Sequence, residues 1–207
     1  MQINFVKYKK HIVAVFAALA LVLSALNYSL ASTKDASKYV YEISNEVLTL
    51  IAREDINDAQ KQEKLRVIFK KVVDTEWIGK FALGRYWKVA TPAQQKEYLE
   101  LFGNYLADIY VPNFKKYTSQ KMKIVNVTET GANEYLVQTE LSEPLSNYSV
   151  KINYRLIKKG GDYKDFAIFD IAAEGISLIS TQRAEFSAIV ARSGLNSLID
   201  NLRSKKK

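Results

Sequence analysis

The side chains that most often perform chemistry in proteins are almost missing from this chain. Its 207 residues include no cysteine and a single histidine, His11. Without cysteine there is no thiol nucleophile, iron–sulfur cluster, Cys-ligated zinc or disulfide framework. Apart from His11, the reactive groups that remain are carboxylates, hydroxyls, Lys and Arg. The sequence offers Asp165 or Asp170, each with a neighbouring Tyr, as a base and oxyanion donor for proton abstraction.

The N-terminal segment has the pattern of an export signal. Three lysines within residues 7–10 precede an unbroken apolar run over residues 12–23. That run is shorter than the roughly 20 apolar residues that a membrane-spanning helix needs. Ser29 and Ala31 put small residues at the two positions that a signal peptidase reads. We therefore predict a signal peptide over residues 1–31, with cleavage after Ala31; the alternative is an uncleaved membrane anchor.

Cleavage at this point would remove the only histidine and part of the positive charge. The mature chain would have 207 − 31 = 176 residues, and its net charge would fall from +8 to 27 − 22 = +5. Ser-His-Asp triads, imidazole bases and His-ligated metals are then excluded. The basic balance is compatible with a nucleic-acid binder, but the export signal, the dispersed charge and the lack of a recognised motif do not favour that class.

The first half of the mature chain has apolar residues at helical spacing. Helices are predicted over residues 37–53, 58–73 and 74–84. Thr91 and Gln94 form the pattern of a capping box with a proline between them, which predicts the start of a long helix that Pro112 should kink or end. This half is expected to form a helical lobe over about residues 35–118.

After Ser119 the apolar residues alternate with polar ones, as in half-buried strands. Four strands joined by short turns are predicted over residues 124–130, 135–141, 150–156 and 163–171. A helix that ends at Gly194 and a final short helix complete a C-terminal region of about residues 177–203. We predict a single α+β domain in which helices pack on one face of a curved, four- to five-stranded antiparallel sheet over about residues 121–171.

Several short segments form a familiar set. They are FALGRYW at residues 81–87 with ATPAQ at 90–94, YRL at 154–156 running into KGG at 159–161, and DI with EGISL within 170–178. Together with Arg183 and Phe186 they follow one another over roughly residues 37–203, nearly the whole mature chain. In this order and spacing the chain resembles the MlaC family, also called the toluene-tolerance or ABC-transporter auxiliary component family.

The resemblance implies a monomeric periplasmic lipid carrier of Gram-negative bacteria, not an enzyme, with no cofactor and phospholipid as its cargo. Its fold would be similar to the nuclear-transport-factor-like cone with added helices. Such proteins carry phospholipid between an outer-membrane lipoprotein–porin complex and an inner-membrane ABC transporter with a lipid-binding ring, which maintains outer-membrane lipid asymmetry. Acyl chains lie in an apolar cavity and the headgroup stays outside. A branch of the family is associated with hopanoids, so a hopanoid or other apolar lipid is the alternative cargo.

A carrier of this kind needs a dry cavity, because each buried CH₂ group is worth about 0.8 kcal/mol. We expect the long helix and the sheet to line it, with two further residues closing one end. The candidates are Leu83, Trp87, Leu101, Phe102, Tyr105, Ile109, Val137, Ile152, Tyr154, Phe166 and Ile168. Ordinary core packing is the alternative for each. Alternation leaves Phe169 and Ile171 as the other possible set on the last strand.

Tyrosines and basic residues are the candidates for the polar end of the lipid. Tyr105, Tyr110 and Tyr154 are expected near the cavity mouth, where a hydroxyl can reach water or phosphate, whereas Tyr86 is expected to be structural.

Arg85, Lys115 and Lys116 are the candidates for contact with an anionic headgroup or an acidic partner. For the lysines the alternative is a solvated face. Arg85 could instead pair with a buried acid, either Asp74 or Asp170.

Overall fold

The computed structural model describes residues 32–116, 120–143, 149–162 and 164–205. Five helices run through these residues: α1 (residues 32–52), α2 (Asp58–Val72), α3 (Thr75–Leu83), α4 (Pro92–Tyr110) and α5 (Leu178–Ser204). Short 3₁₀ segments, Gly84–Lys88 and Val111–Lys116, follow α3 and α4. The predicted signal peptide and its cleavage site lie outside the described residues. Within those residues, no helix is long and apolar enough to cross a bilayer.

The sheet is an antiparallel meander in which each strand pairs with the next one along the chain. Its strands are β1 (Lys121–Gly131), β2 (Glu134–Ser142), β3 (Ser149–Lys158), β4 (Phe166–Ala173) and β5 (Ile176–Ser177). The order of helices, then a curved antiparallel sheet, then a helix confirms the predicted α+β class. The strand that had been expected over residues 163–171 begins at Phe166.

The ends of α4 and the interior of α5 follow the local signals in the sequence. The Thr91 hydroxyl accepts a hydrogen bond from the Gln94 N–H at 3.3 Å, and the Gln94 side chain accepts one from the Thr91 N–H at 2.9 Å. In α5, Gly194 has φ +82° and ψ 167°, so the helix is interrupted where the sequence predicts a helix end. A left-handed φ of this kind favours glycine.

The capping box predicts the first stability measurement. Thr91→Ala should lower the free energy of unfolding by about 1 kcal/mol, because the N–H of Gln94 loses its acceptor. Urea denaturation of the purified protein measures this value. Thr91→Ser keeps the hydroxyl and is the control, since it should stay close to the parent. An alanine variant as stable as the serine variant would show that the cap does not stabilise α4.

One face of the sheet is apolar and is covered by helices. Alternate residues of β2 are buried, and Val137 of β2 lies opposite Tyr154 of β3 in the register. Helix α1 lies over this inner face, where the rings of Tyr39 and Phe166 are 5.5 Å apart and Lys158 pairs with Asp35 at 3.2 Å. Lys151, Asn153 and Arg155 alternate with the inner-face residues, which confirms the predicted wet face of β3.

A bulge in β4 interrupts the simple alternation. Arg155 pairs with Asp170 and Leu156 pairs with Ile168, so that Phe169 is an extra residue without an opposite partner. One extra residue moves the following side chains to the other face. As a result Ile168 and Ile171 share the inner face, whereas Phe169 packs against Trp77 of α3 with ring centroids 4.9 Å apart.

The protein has two apolar cores that meet along α2. The helical core joins α2 to α5 and contains the rings of Tyr98, Phe102, Tyr105 and Phe186. The sheet core lies between α1 and the inner face and contains Tyr39, Val137, Leu156 and Phe166. This arrangement leaves a space between the two cores that neither fills.

Candidate functional site

An apolar cavity of about 360 Å³ lies between the helices and the inner face of the sheet. This volume is within the range of about 300–1,000 Å³ that is usual for small-molecule sites. Its wall takes side chains from all five helices and from β1 to β4. The cavity is therefore a property of the whole fold and not of one loop.

Helices α1 and α2 supply a large part of the apolar wall. The contributing side chains of α1 and α2 are Ile43, Val47, Leu48 and Ile51 on the first, and Leu65, Ile68, Phe69 and Val72 on the second. Residues three, four and seven or eight positions apart share one face of a helix, which explains why each helix presents a continuous apolar stripe. Val67, next to Ile68 in the chain, faces away from this stripe and is 60% exposed.

The sheet supplies the opposite wall. Ile152 and Tyr154 of β3 and Ile168 and Ile171 of β4 line the cavity. The β4 bulge is what allows both isoleucines to face inward, although three positions separate them. Without the bulge, Ile171 would point to the outer face.

Two polar side chains in the wall, Asp170 and Asn113, are engaged in hydrogen bonds within the protein. Asp170 is 4% exposed; it accepts hydrogen bonds from the Ser177 hydroxyl at 2.7 Å and from the Ile179 N–H at 3.3 Å. It thereby caps the N-terminus of α5, where a carboxylate is favourable. The Asn113 amide donates to the carbonyl of Ile109 at 2.7 Å. These groups therefore shape the wall and leave little polarity to hold a headgroup inside.

The buried hydroxyl of Tyr110 stays neutral at ordinary pH. Burial raises the pKa of Tyr110, and the neighbouring Tyr105, Glu185 and Asp170 raise it further. The Gln182 amide donates to the Glu185 carboxylate at 3.1 Å beside this part of the wall. A mainly apolar lining whose carboxylate, Asp170, already accepts two hydrogen bonds suits a ligand whose buried part is apolar.

Asp170 gives a stability prediction for the cavity wall. Asp170→Ala should lower the free energy of unfolding by about 2–3 kcal/mol, because two donors at the start of α5 lose a charged acceptor. The measurement is urea denaturation followed by circular dichroism. Asp200→Ala, which removes an exposed carboxylate from the same helix, should change stability by less than about 0.5 kcal/mol. Equal effects of the two substitutions would contradict the capping role.

Three of the eleven predicted lining residues border the cavity: Ile152, Tyr154 and Ile168. The structure places five others in the two cores, with Leu83, Phe102 and Tyr105 in the helical core and Val137 and Phe166 in the sheet core. None of these five side chains lines the cavity. Of the predicted mouth tyrosines, Tyr110 and Tyr154 line the cavity and Tyr105 does not.

The remaining three predicted residues lie further out. Trp87 and Leu101 are half-buried at the edge of the helical core, and Ile109 is 37% exposed. The reason is that the apolar stripe of α4 packs against α3 and α5 and not against the sheet. Only Leu106 and Tyr110, near the end of α4, reach the cavity.

Sequence reasoning missed the contribution of α1 and α2. Their apolar stripes are visible in the sequence, but such a stripe is equally typical of a helix that covers a filled core. Solvent exposure in the structure distinguishes the two cases, because Ile43 and Val47 remain half-buried although they face inward. Residues of this kind border a space that the protein itself leaves unfilled.

The basic candidates lie outside the cavity wall. Arg85 is exposed, donates to the Tyr86 hydroxyl at 2.9 Å and stacks on the Tyr86 ring. The alternative in which Arg85 pairs with a buried acid is not what the structure has, because Asp74 pairs with Lys159 at 2.5 Å and Asp170 caps α5. Lys115 is exposed and follows Phe114, which lines the cavity. The side chain of Lys116 lies outside the described part of the structure.

Known proteins share this sequence pattern and this fold. The family described as MlaC protein matches residues 41–204. The intermembrane phospholipid transport system binding protein MlaC of Haemophilus influenzae is 23% identical over 211 residues, which cover 96% of this chain and 94% of that protein.

A solved structure has the same fold. The phospholipid-binding protein from Ralstonia solanacearum, in complex with a phospholipid, superposes with a TM-score of 0.70 at 20% identity and covers 83% of this chain and 96% of that chain. Sequence and fold therefore lead to one conclusion: the chain belongs to the MlaC family.

Proposed function

We propose that this protein is a carrier that encloses the acyl chains of a phospholipid in the cavity between its two cores. The observation that carries the proposal is an apolar space of about 360 Å³ in whose wall the polar side chains of Asp170 and Asn113 already have partners within the protein. Burial of each CH₂ group would contribute about 0.8 kcal/mol, so the chains alone supply a large driving force. Without strong polar anchors inside, release stays fast enough for a carrier.

The headgroup would stay outside, near the 3₁₀ segment Val111–Lys116 that follows α4. Lys115 is exposed beside Asn113 and Phe114, which line the cavity, and it can meet an anionic phosphate there. In this proposal the carrier passes phospholipid between an outer-membrane lipoprotein–porin complex and an inner-membrane ABC transporter with its lipid-binding ring. Family membership supports this role, as does the name of the Haemophilus influenzae relative, which places that protein in intermembrane phospholipid transport.

We infer a binding protein in preference to an enzyme that uses a Tyr and an Asp. A general base needs a carboxylate oxygen that is accessible to substrate. Both oxygens of Asp170 accept hydrogen bonds from the start of α5. Asp165, the other candidate, accepts the N–H of Asp162 at 2.8 Å and does not line the cavity.

Export to the periplasm is part of the same proposal. The leader over residues 1–31 would be cleaved after Ala31, so that the mature chain begins with Ser32. Expression of the full chain in a Gram-negative bacterium, followed by intact-mass measurement of the periplasmic fraction, tests this directly. A protein that keeps its leader and stays with the membrane fraction would overturn it.

Native mass spectrometry with organic extraction tests the cargo. Protein purified from the periplasm should carry about one phospholipid per chain, and the extracted lipid should show a glycerophosphate headgroup. Protein that is free of lipid and takes none up from vesicles would overturn the carrier. Extraction of a hopanoid or another neutral lipid instead would keep the carrier and replace the cargo.

A further inference from the structure

A row of stacked aromatic and arginine side chains crosses the outside of α3. The guanidinium carbon of Arg183 lies 4.6 Å from the ring centroid of Phe81, and Phe81 stacks on Trp77 at 5.3 Å with an interplanar angle of 10°. Trp77 in turn meets Phe169, over which Arg155 lies at 4.6 Å. Trp77 is 39% exposed, so the row is accessible from solvent.

The positive charge around this row exceeds the negative charge. Arg183 and Arg85 are both exposed, and among the described residues neither has a carboxylate within salt-bridge distance. Gly84 is close to both arginines. It precedes Arg85 in the chain, and a Cβ at this position would lie 3.3 Å from Nη2 of Arg183. Lys80 adds a third cation, which pairs with Glu76 at 2.5 Å and lies 5.5 Å from the ring centroid of Trp87.

We propose that this surface, which we call the α3 surface (Trp77, Lys80, Phe81, Arg85 and Arg183), docks the protein on the headgroup layer of an anionic phospholipid bilayer. Arginine binds phosphate through two parallel N–H donors, and the contact with the Phe81 ring restricts the freedom of the Arg183 side chain. Tryptophan is enriched where a bilayer meets water, and both tryptophans of the chain lie on or beside this surface.

The composition of the surface favours a bilayer over an acidic protein. Arginine and tryptophan suit both partners, but lysine is depleted at protein–protein interfaces and attracted by anionic leaflets. Lys80 and the exposed Lys88 therefore point to lipid. The position is also suitable, since α3 contributes Ile78 to the cavity wall. Only the thickness of α3, about one helix diameter, would separate a bilayer docked on the α3 surface from the cavity.

Co-sedimentation of the full-length mature protein with vesicles tests the docking. The vesicles are pure phosphatidylcholine or phosphatidylcholine mixed with phosphatidylglycerol, and each is used at low and at high salt. We expect binding only to the mixed vesicles, and we expect salt to weaken it. The variant Arg85→Gln/Arg183→Gln should bind about thirtyfold more weakly, because each basic side chain contributes about 1 kcal/mol near an anionic surface and 1.4 kcal/mol is tenfold.

A single substitution and a matched control keep the test interpretable. Arg85→Gln removes an exposed side chain whose hydrogen bond and ring contact both go to the adjacent Tyr86, so it should fold normally and bind about fivefold more weakly. The control Lys64→Glu/Arg192→Glu changes the net charge by more than the double glutamine variant does. Both of its residues are exposed and lie outside the α3 surface. Arg192 is nine residues after Arg183, which puts it on the opposite side of α5. We expect this control to keep most of its binding.

The outcomes separate docking from cargo binding, since the α3 surface belongs to a carrier only if the proposed function holds. Native mass spectrometry of the same samples reports the lipid inside the protein. A loaded protein that ignores anionic vesicles would overturn the docking and leave the carrier intact. Vesicle binding that is lost equally in the control would reduce the effect to net charge and overturn the proposal. Binding to a polyglutamate peptide is measured in parallel. If Arg85→Gln/Arg183→Gln kept the parent's vesicle binding but lost binding to this peptide, the α3 surface would be reassigned to an acidic protein partner.

Discussion

The substitution Ile152→Trp is expected to prevent the protein from retaining phospholipid. Ile152 lines the cavity from β3 and is only half-buried, because its side chain borders the empty space of about 360 Å³. An indole at this position would extend into that space and occupy volume that the acyl chains need. The lipid-to-protein ratio after purification should fall at least about tenfold, which corresponds to a loss of 1.4 kcal/mol or more in binding free energy.

The protein itself should stay folded, since the larger side chain enters a cavity and not a filled core. Urea denaturation of the lipid-free forms of parent and variant measures this. Val125→Trp is the matched control: Val125 lies on β1, is 59% exposed and does not line the cavity. A control with the parent's lipid content and an Ile152→Trp variant that is equally loaded would together show that the lipid lies elsewhere.

The substitution Phe102→Ala is expected to have the largest effect on stability. Phe102 is fully buried. Its ring stacks on that of Tyr98 with centroids 5.5 Å apart, and it makes an edge contact with the ring of Phe186 with centroids 5.8 Å apart. Replacement of a buried phenylalanine by alanine costs about 3–5 kcal/mol, because apolar contacts are lost and a cavity remains. Urea denaturation should show this loss, while the dependence of the free energy of unfolding on urea concentration stays unchanged.

The same variant separates the helical core from the lipid site. Phe102 does not line the cavity, so the fraction of Phe102→Ala protein that stays folded should carry as much lipid as the parent. Val89→Ala is the control for the stability measurement, since Val89 is 77% exposed and its loss should cost less than about 0.5 kcal/mol. A folded but unloaded Phe102→Ala variant would instead place the side chain of Phe102 in the lipid site.

The fold could be predicted from the sequence because its signals are local. The change of period after Ser119, the capping box at Thr91 and the glycine at 194 each act within one or two turns of chain. An antiparallel meander also needs no long-range information, because each strand pairs with the next. The order of elements follows from these signals together.

The cavity could be predicted only in part, because it depends on which inward-facing side chains leave space between them. Periodicity shows that Phe102 and Ile152 are apolar and face inward, but it does not show that one meets aromatic rings and the other an empty space. The bulge at Phe169 adds a second difficulty, since no strand pattern reveals one extra residue. Both features arise from how whole elements meet.

The contrast between filled clusters and half-buried wall positions has a consequence for how the protein can change over generations. Stability rests on filled clusters such as Tyr98, Phe102 and Phe186, whereas the cavity wall draws on side chains such as Ile43 and Ile152, which border unfilled space. Substitution of a half-buried wall residue such as Ile43 or Ile152 therefore removes fewer packed contacts, and costs less folding free energy, than substitution of Phe102. Changes at such positions can reshape the cavity for a different lipid while the filled clusters keep the fold intact.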